Sequence, residues 1–196
     1  MNKKRRTWII VLAAVLIVVM WGVKKYNGFI SLEEGVTGQW ANVENVYQRR
    51  TDLIPNLVST VKGYAEFEQE TLTGVIEARA KATSITIDPT NITPQALASF
   101  QQAQEGLSSA LSRLMVTVER YPELKANQNF LELQSQLEGT ENRIAVERRK
   151  FNEVTRAYNT TIRKFPNSFI AGIGGFNKKA YFEAVAGSET APVVEF

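Results

Sequence analysis

Apolar residues recur at alternating intervals of four and three along most of this chain, and that spacing restricts it to helices packed side by side. From Leu32 to Thr83 the seam runs through Val36, Trp40, Val43, Tyr47, Arg50, Ile54, Leu57, Val61, Tyr64, Glu68, Leu72, Val75 and Arg79. The alternation is that of a heptad repeat. Its one irregularity is two successive fours from Tyr64 to Leu72. Pro55 lies inside the run, where proline removes a backbone hydrogen bond and clashes with the preceding turn. A kink or a break is expected there, and a break would turn three helices into four.

Ser84 to Thr93 reads as a loop, with Asp88-Pro89-Thr90-Asn91 as turn chemistry. Thr93 is then an N-cap with Pro94 at the first helical position. A second seam follows through Leu97, Phe100, Gln104, Leu107, Leu111, Leu114, Val118 and Tyr121, stopped at Pro122. Asn127 or Asn129 starts a third, through Phe130, Leu133, Leu137, Thr140, Ile144, Glu147, Phe151, Val154, Tyr158, Thr161 and Phe165, ended by Pro166. The expected fold class is all-α: a transmembrane helix followed by a long antiparallel up-and-down bundle of three long helices, the first kinked or broken at Pro55. The corresponding segments are a basic flank 1–6, a span 7–23, a linker 24–31, a bundle 32–165 (helices about 32–83, 94–121 and 128–165) and a Gly-rich apolar tail 166–196. An up-down-up course would start that tail far from the membrane.

The span rests on the run from Thr7 to Val23, which holds no charged residue. Roughly 17–25 apolar residues cross a bilayer as a helix. Trp8 and Trp21 stand at its ends, where indoles favour the interface, and Lys24 and Lys25 can snorkel. Trp21-Gly22-Val23-Lys24 is a poor cleavage site, so an uncleaved anchor is expected. Four basic residues and the α-amine precede the run and two lysines follow it. The positive-inside bias therefore expects a cytoplasmic N-terminus, an inner-membrane single pass and an extracytoplasmic bundle.

The net charge of +3 belongs to the anchor. Without Lys3, Lys4, Arg5 and Arg6, 19 basic residues face 20 acidic ones, which argues against a nucleic-acid surface. The chain has no histidine and no cysteine, so the commonest general base, thiolate chemistry and Cys/His metal sites are excluded. No Gly-rich phosphate loop is present. No catalytic, cofactor or metal residue is assigned.

Four charged residues interrupt the seams: Arg50, Glu68, Arg79 and Glu147. With the first and third helices parallel, Glu68, Arg113 and Glu147 would fall at one height. They are read as a buried ion cluster that fixes register, in preference to a cation site or a carboxylate pair. In the tail, Phe176, Phe182, Val194 and Phe196 are candidates for partner binding, through capture of the C-terminal carboxylate in a groove. Burial of the Phe176, Tyr181 and Phe182 rings on the bundle is the favoured alternative.

Arg49-Arg50-Thr51-Asp52-Leu53-Ile54-Pro55-Asn56-Leu57-Val58, with Val61-Lys62-Gly63-Tyr64-Ala65, resembles the signature of the LemA family. So do Glu119-Arg120-Tyr121-Pro122-Glu123-Leu124-Lys125-Ala126-Asn127, Glu138-Gly139-Thr140-Glu141-Asn142-Arg143-Ile144 and Tyr158-Asn159. The resemblance covers nearly the whole chain. It implies a single-pass membrane protein with a helical bundle, a part in organising membrane assemblies, and no catalytic residues. Phe67 departs from it where the family often has histidine. The expected function is a non-enzymatic scaffold or adaptor, bound to the lipid bilayer and to an unidentified envelope protein, with an oligomer left open. The alternative is an accessory subunit or substrate of a membrane protease or other envelope enzyme, engaged through Phe196.

Overall fold

One unbroken helix, α1 (Lys3–Lys62), carries the apolar run directly into the bundle. The computed structural model describes residues 3–64 and 68–183. Residues 24–31, expected as a linker, are helical, and Phe29 already lies in the core. At about 1.5 Å per residue, α1 is about 90 Å long. Its apolar stretch is long enough to cross a membrane, and its most apolar window is not buried against the described residues.

The helix passes through Pro55 without breaking. Pro55 has no N–H to offer the Thr51 carbonyl four residues back. Arg79 supplies the missing donor, its Nε reaching the Thr51 oxygen at 2.9 Å. The helix ends instead at Lys62, with Gly63 in a turn just beyond it. α2 (Gln69–Ser84) then returns alongside the end of α1. Arg79→Met should therefore destabilise by about 1–3 kcal/mol, the cost of orphaning a buried carbonyl. In a Pro55→Ala background the restored N–H can rejoin Thr51, and that cost should fall by more than half. A double-mutant cycle on denaturation midpoints checks this, and equal costs in both backgrounds would refute it.

α3 (Pro94–Val118) climbs again, opened by Thr93, whose hydroxyl accepts the Ala96 N–H at 3.2 Å. A short turn, α4 (Pro122–Lys125), leads to α5 (Gln128–Arg163), where the Asn127 side chain accepts the Phe130 N–H at 3.1 Å. α5 runs antiparallel to α1, with Gln39 beside Glu147 and Arg50 beside Glu141. It ends near the apolar run of α1, where α6 (Asn167–Gly174) lies against α1 and α5. The tail therefore starts at the end of the bundle nearest the apolar run, opposite to the sequence expectation. The wrong reversal point is the reason: ending α1 at Lys62 adds one more pass. Phe165, placed on the third seam, lies beyond the end of α5 and is 89% exposed.

Every seam residue from Val36 to Val61 is buried. They serve two cores. The distal core is a four-helix layer built on Leu57, Val61, Leu72, Val75, Leu107, Leu114 and Phe130. The proximal core holds Phe29, Trp40, Phe100, Phe151, Tyr158 and Phe182. Below Ser84 and Pro94 the bundle lacks two of its helices, and irregular chain fills their place. Ile87 and Ile92 plug the gap from the loop between α2 and α3. That loop turns on Asp88, whose carboxylate accepts the Thr90 N–H at 2.8 Å and the Thr90 hydroxyl at 2.7 Å. These bonds hold the Asp88 carboxyl below its ordinary pKa.

Candidate functional site

Gly175 closes α6 with a left-handed φ of 75°, which glycine adopts without strain. Gly174 admits the chain closely, since a Cβ there would stand 2.7 Å from the Phe176 ring. The two glycines turn the tail back up the bundle, and it stays docked as far as Glu183.

Two asparagines of α5 hold it. Asn159 donates to the Lys179 carbonyl and accepts the Lys179 N–H, both at 2.9 Å. Asn152 does the same for Phe182, again at 2.9 Å on both bonds. Seven helical residues rise about 10.5 Å, and three nearly extended residues span about 10 Å. One amide per two helical turns therefore meets every third residue of the tail. A carboxamide carries a donor and an acceptor together, so it replaces a strand partner for both backbone groups at once. Asn159 belongs to the LemA-like Tyr158-Asn159 pair, but neither it nor Asn152 is assigned a role from the sequence. Their spacing of seven, in a helix interior where asparagine is a poor former, was the available signal.

Lys179 is buried, and its ammonium pairs with Glu33 of α1 at 2.7 Å and donates to the Thr90 carbonyl. The Tyr158 hydroxyl donates to the Asn177 carbonyl at 3.0 Å. Burial, with the Glu33 carboxylate adding to it, raises the Tyr158 pKa. Phe182 stacks on Trp40 at 5.9 Å and meets Phe151 edge-on at 5.4 Å. The tail is thus part of the proximal core. Beside it, α3 and the tail enclose a groove of about 420 Å³, lined by residues including Leu97, Gln101, Glu105, Tyr181 and Glu183.

Between the two cores lies a polar layer centred on Arg50, only 1% exposed. Nη1 donates to Ser108 Oγ at 2.8 Å and to Glu141 Oε1 at 2.6 Å. Nη2 donates to Gln104 Oε1 at 2.5 Å and to the Gln104 carbonyl at 3.2 Å. Gln104 Nε2 passes the connection to the Ala82 carbonyl of α2 at 3.3 Å. The guanidinium also lies 5.2 Å from the centre of the Tyr47 ring, whose pKa burial raises. This layer ties all four bundle helices, and Gln104, a polar residue on the second seam, is its second centre.

The structure does not bring Glu68, Arg113 and Glu147 together. Glu68 stands at the distal turn and pairs with Arg120 at 2.6 Å on the surface. Arg113 is exposed. Glu147 accepts from Gln39 Nε2 at 2.7 Å and from Lys150 Nζ at 2.8 Å. The cluster assumed α1 and α5 parallel and α1 continuous to Thr83, and neither holds. Phe176 and Phe182, offered as partner-binding residues, are packed inward, Phe176 against Tyr26 and Phe29. Val194 and Phe196 lie outside the described residues. Trp8 and Trp21 flank the exposed apolar run, and Lys24 and Lys25 follow it on the same helix. Among the described residues no three His, Cys, Asp or Glu side chains gather as for a metal ion.

Lys150, and after it Gln39, hold the Glu147 carboxyl below its usual pKa. A depressed carboxylate contributes stability that is present above its unfolded pKa of about 4.5 and lost as pH falls through the lower folded value. Glu147→Gln should therefore cost stability at neutral pH and progressively less below about pH 4. Urea midpoints across that range test it, and a cost independent of pH would remove the ionic contribution.

Fold and site together define a membrane-associated helical protein: one apolar N-terminal helix continuous with a four-helix bundle that its own tail closes. The LemA family model matches residues 39–196, and the chain belongs to the LemA family. It is 26% identical to Magnetosome protein MamQ of Magnetospirillum gryphiswaldense over 87% of this chain and 68% of that protein. The figures are the same for Magnetosome protein MamQ 2 of Paramagnetospirillum magneticum. Protein LemA of Metamycoplasma hominis is 26% identical over 72% of this chain and 61% of its own length.

Proposed function

We propose that this LemA-family protein is a membrane-anchored scaffold or adaptor whose bundle presents a binding surface at a fixed height above the bilayer. The observation that carries this is α1, one helix from the apolar run to the distal end of the bundle. A continuous helix transmits position and tilt, where a linker would uncouple them. The ionisable residues of the core serve packing: Arg50 and Lys179 tie elements together, and Glu147 is held ionised, the reverse of what a general acid requires. The relatives named as magnetosome proteins support a part in a cellular assembly. We place the N-terminus in the cytoplasm and the bundle outside it, on the charge bias across the span.

Co-purification of full-length protein from membranes tests this reading. A partner kept when Pro192–Phe196 is deleted, and lost with a bundle-face change such as Val116→Glu, supports the scaffold. Val116 is 72% exposed, so its replacement spares the core. Loss on the tail deletion alone would favour the alternative, an accessory subunit or substrate of a membrane enzyme engaged through Phe196. Orientation is read separately, by labelling Ser188→Cys or Asn2→Cys in intact cells with an impermeant maleimide.

A further inference from the structure

The apolar surface of this protein does not end with α1. Phe165, Phe169 and Ile173 are 89%, 71% and 76% exposed. Phe169 and Ile173, four apart, share one face of α6, and Phe165 stands four residues earlier, at its approach. The opposite face of α6 is spoken for: Ala171 is buried, and Ile170 packs on the proximal core. The exposed row is therefore not a core face left over by poor packing.

Its position on α1 identifies what it meets. The C-terminal end of α6 abuts α1 at Tyr26, where a Cβ on Gly174 would lie 3.0 Å from the ring. Phe176, two residues on, packs edge-on against Tyr26 at 5.3 Å. Tyr26 is three residues past Val23, a rise of about 4.5 Å from the end of the apolar run. The polar layer of a bilayer is about 5–8 Å deep on each side. α6 is thus held at the level of the headgroups, with exposed Tyr26 of α1 beside it. The charges around it agree. Between Arg163 and Lys178 there are three basic residues, Arg163, Lys164 and Lys178, and no acidic one, and Lys24 and Lys25 lie at the same level on α1.

We propose that α6 is an interfacial foot: Phe165, Phe169 and Ile173 insert into the headgroup–acyl boundary of the bilayer that α1 spans, and the basic residues around them contact anionic lipid headgroups. An apolar helical face rimmed by Lys and Arg is the pattern that binds such a boundary. The bundle then stands on the membrane at two points, which fixes its tilt as well as its height. This rests on α1 spanning the bilayer, and the test separates the two.

The cysteine-free chain takes single probes directly. Full-length Phe169→Cys, Ile173→Cys, Leu16→Cys and Val116→Cys proteins, each carrying a polarity-sensitive fluorophore, are reconstituted in vesicles of phosphatidylcholine and phosphatidylglycerol. Quenching is compared for iodide, for a lipid nitroxide near the headgroup and for one near the chain end. Expected are probes at 169 and 173 quenched by the shallow nitroxide and shielded several-fold from iodide relative to 116, while 16 responds to the deep nitroxide. Iodide access at 169 and 173 equal to that at 116, with 16 still lipid-quenched, overturns the foot and leaves the anchor. Loss of lipid quenching at 16 as well overturns both. Shielding at 169 and 173 from iodide and lipid alike also overturns the foot, since another protein surface would then cover the face.

Discussion

Arg50→Ala should destabilise the bundle by roughly 3–5 kcal/mol, the cost of breaking a buried charged network by removing one partner. The loss has two parts. A large side chain disappears from a site only 1% exposed, leaving a cavity. Gln104 and Ser108 lose their donor where little solvent can replace it. The ion pair itself contributes less, because the Glu141 side chain is 44% exposed and water screens it. Glu141→Gln, which keeps an acceptor, should accordingly cost under about 1 kcal/mol. Arg50→Lys should fall between the two, since one ammonium cannot match a planar fork that reaches three side chains. Denaturation midpoints of the three variants decide the matter. If Glu141→Gln proved as costly as Arg50→Ala, charge pairing and not the amide network would hold the layer.

Asn159→Ala should release the tail. The substitution removes two hydrogen bonds and leaves the Lys179 N–H and carbonyl unpaired in a buried site. At about 1–3 kcal/mol for each orphaned group, the expected local loss is roughly 2–6 kcal/mol. It should be confined to the proximal half, because no described tail residue belongs to the distal core. Hydrogen exchange at Lys179 and Phe182 should rise by orders of magnitude, while amides around Leu114 and Phe130 keep their protection. Asn152→Ala should act in the same way, with Phe182 free to leave Trp40. Asn159→Asp gives a finer check: a carboxylate still accepts the Lys179 N–H but cannot donate to its carbonyl. Unchanged exchange at Lys179 in both Asn159 variants would show that the Trp40–Phe182 stack holds the tail without the amides.

The seams were legible because burial on a helix repeats with the helix. Val36 to Val61 point inward wherever the neighbouring helices stand, so each can be read without knowing them. Thr93, Pro94 and Asn127 were legible for a similar reason, since a cap is satisfied within three residues of its own position. The break allowed for at Pro55 does not occur, because the cost of a proline is not set locally. The donor that rescues Thr51 is Arg79, 28 residues away, and no local rule could supply it. Once the reversal was misplaced, every height downstream was wrong, and the Glu68, Arg113 and Glu147 cluster was lost with it. Gly63 and the two successive fours beside it were the signal that should have prevailed.

The sequence by itself determined that this is an all-helical chain with a charge-free apolar run, no histidine or cysteine chemistry, and membership of the LemA family. Those properties follow from composition and from periodicities that each helix carries alone. Only the tertiary structure decided which helices face one another, that Arg50 meets Gln104, that two asparagines receive the tail, and that α6 lies at the level of Tyr26. These depend on register and direction, which are set jointly by packing between segments far apart in the chain, and a shift of one reversal rearranges all of them together.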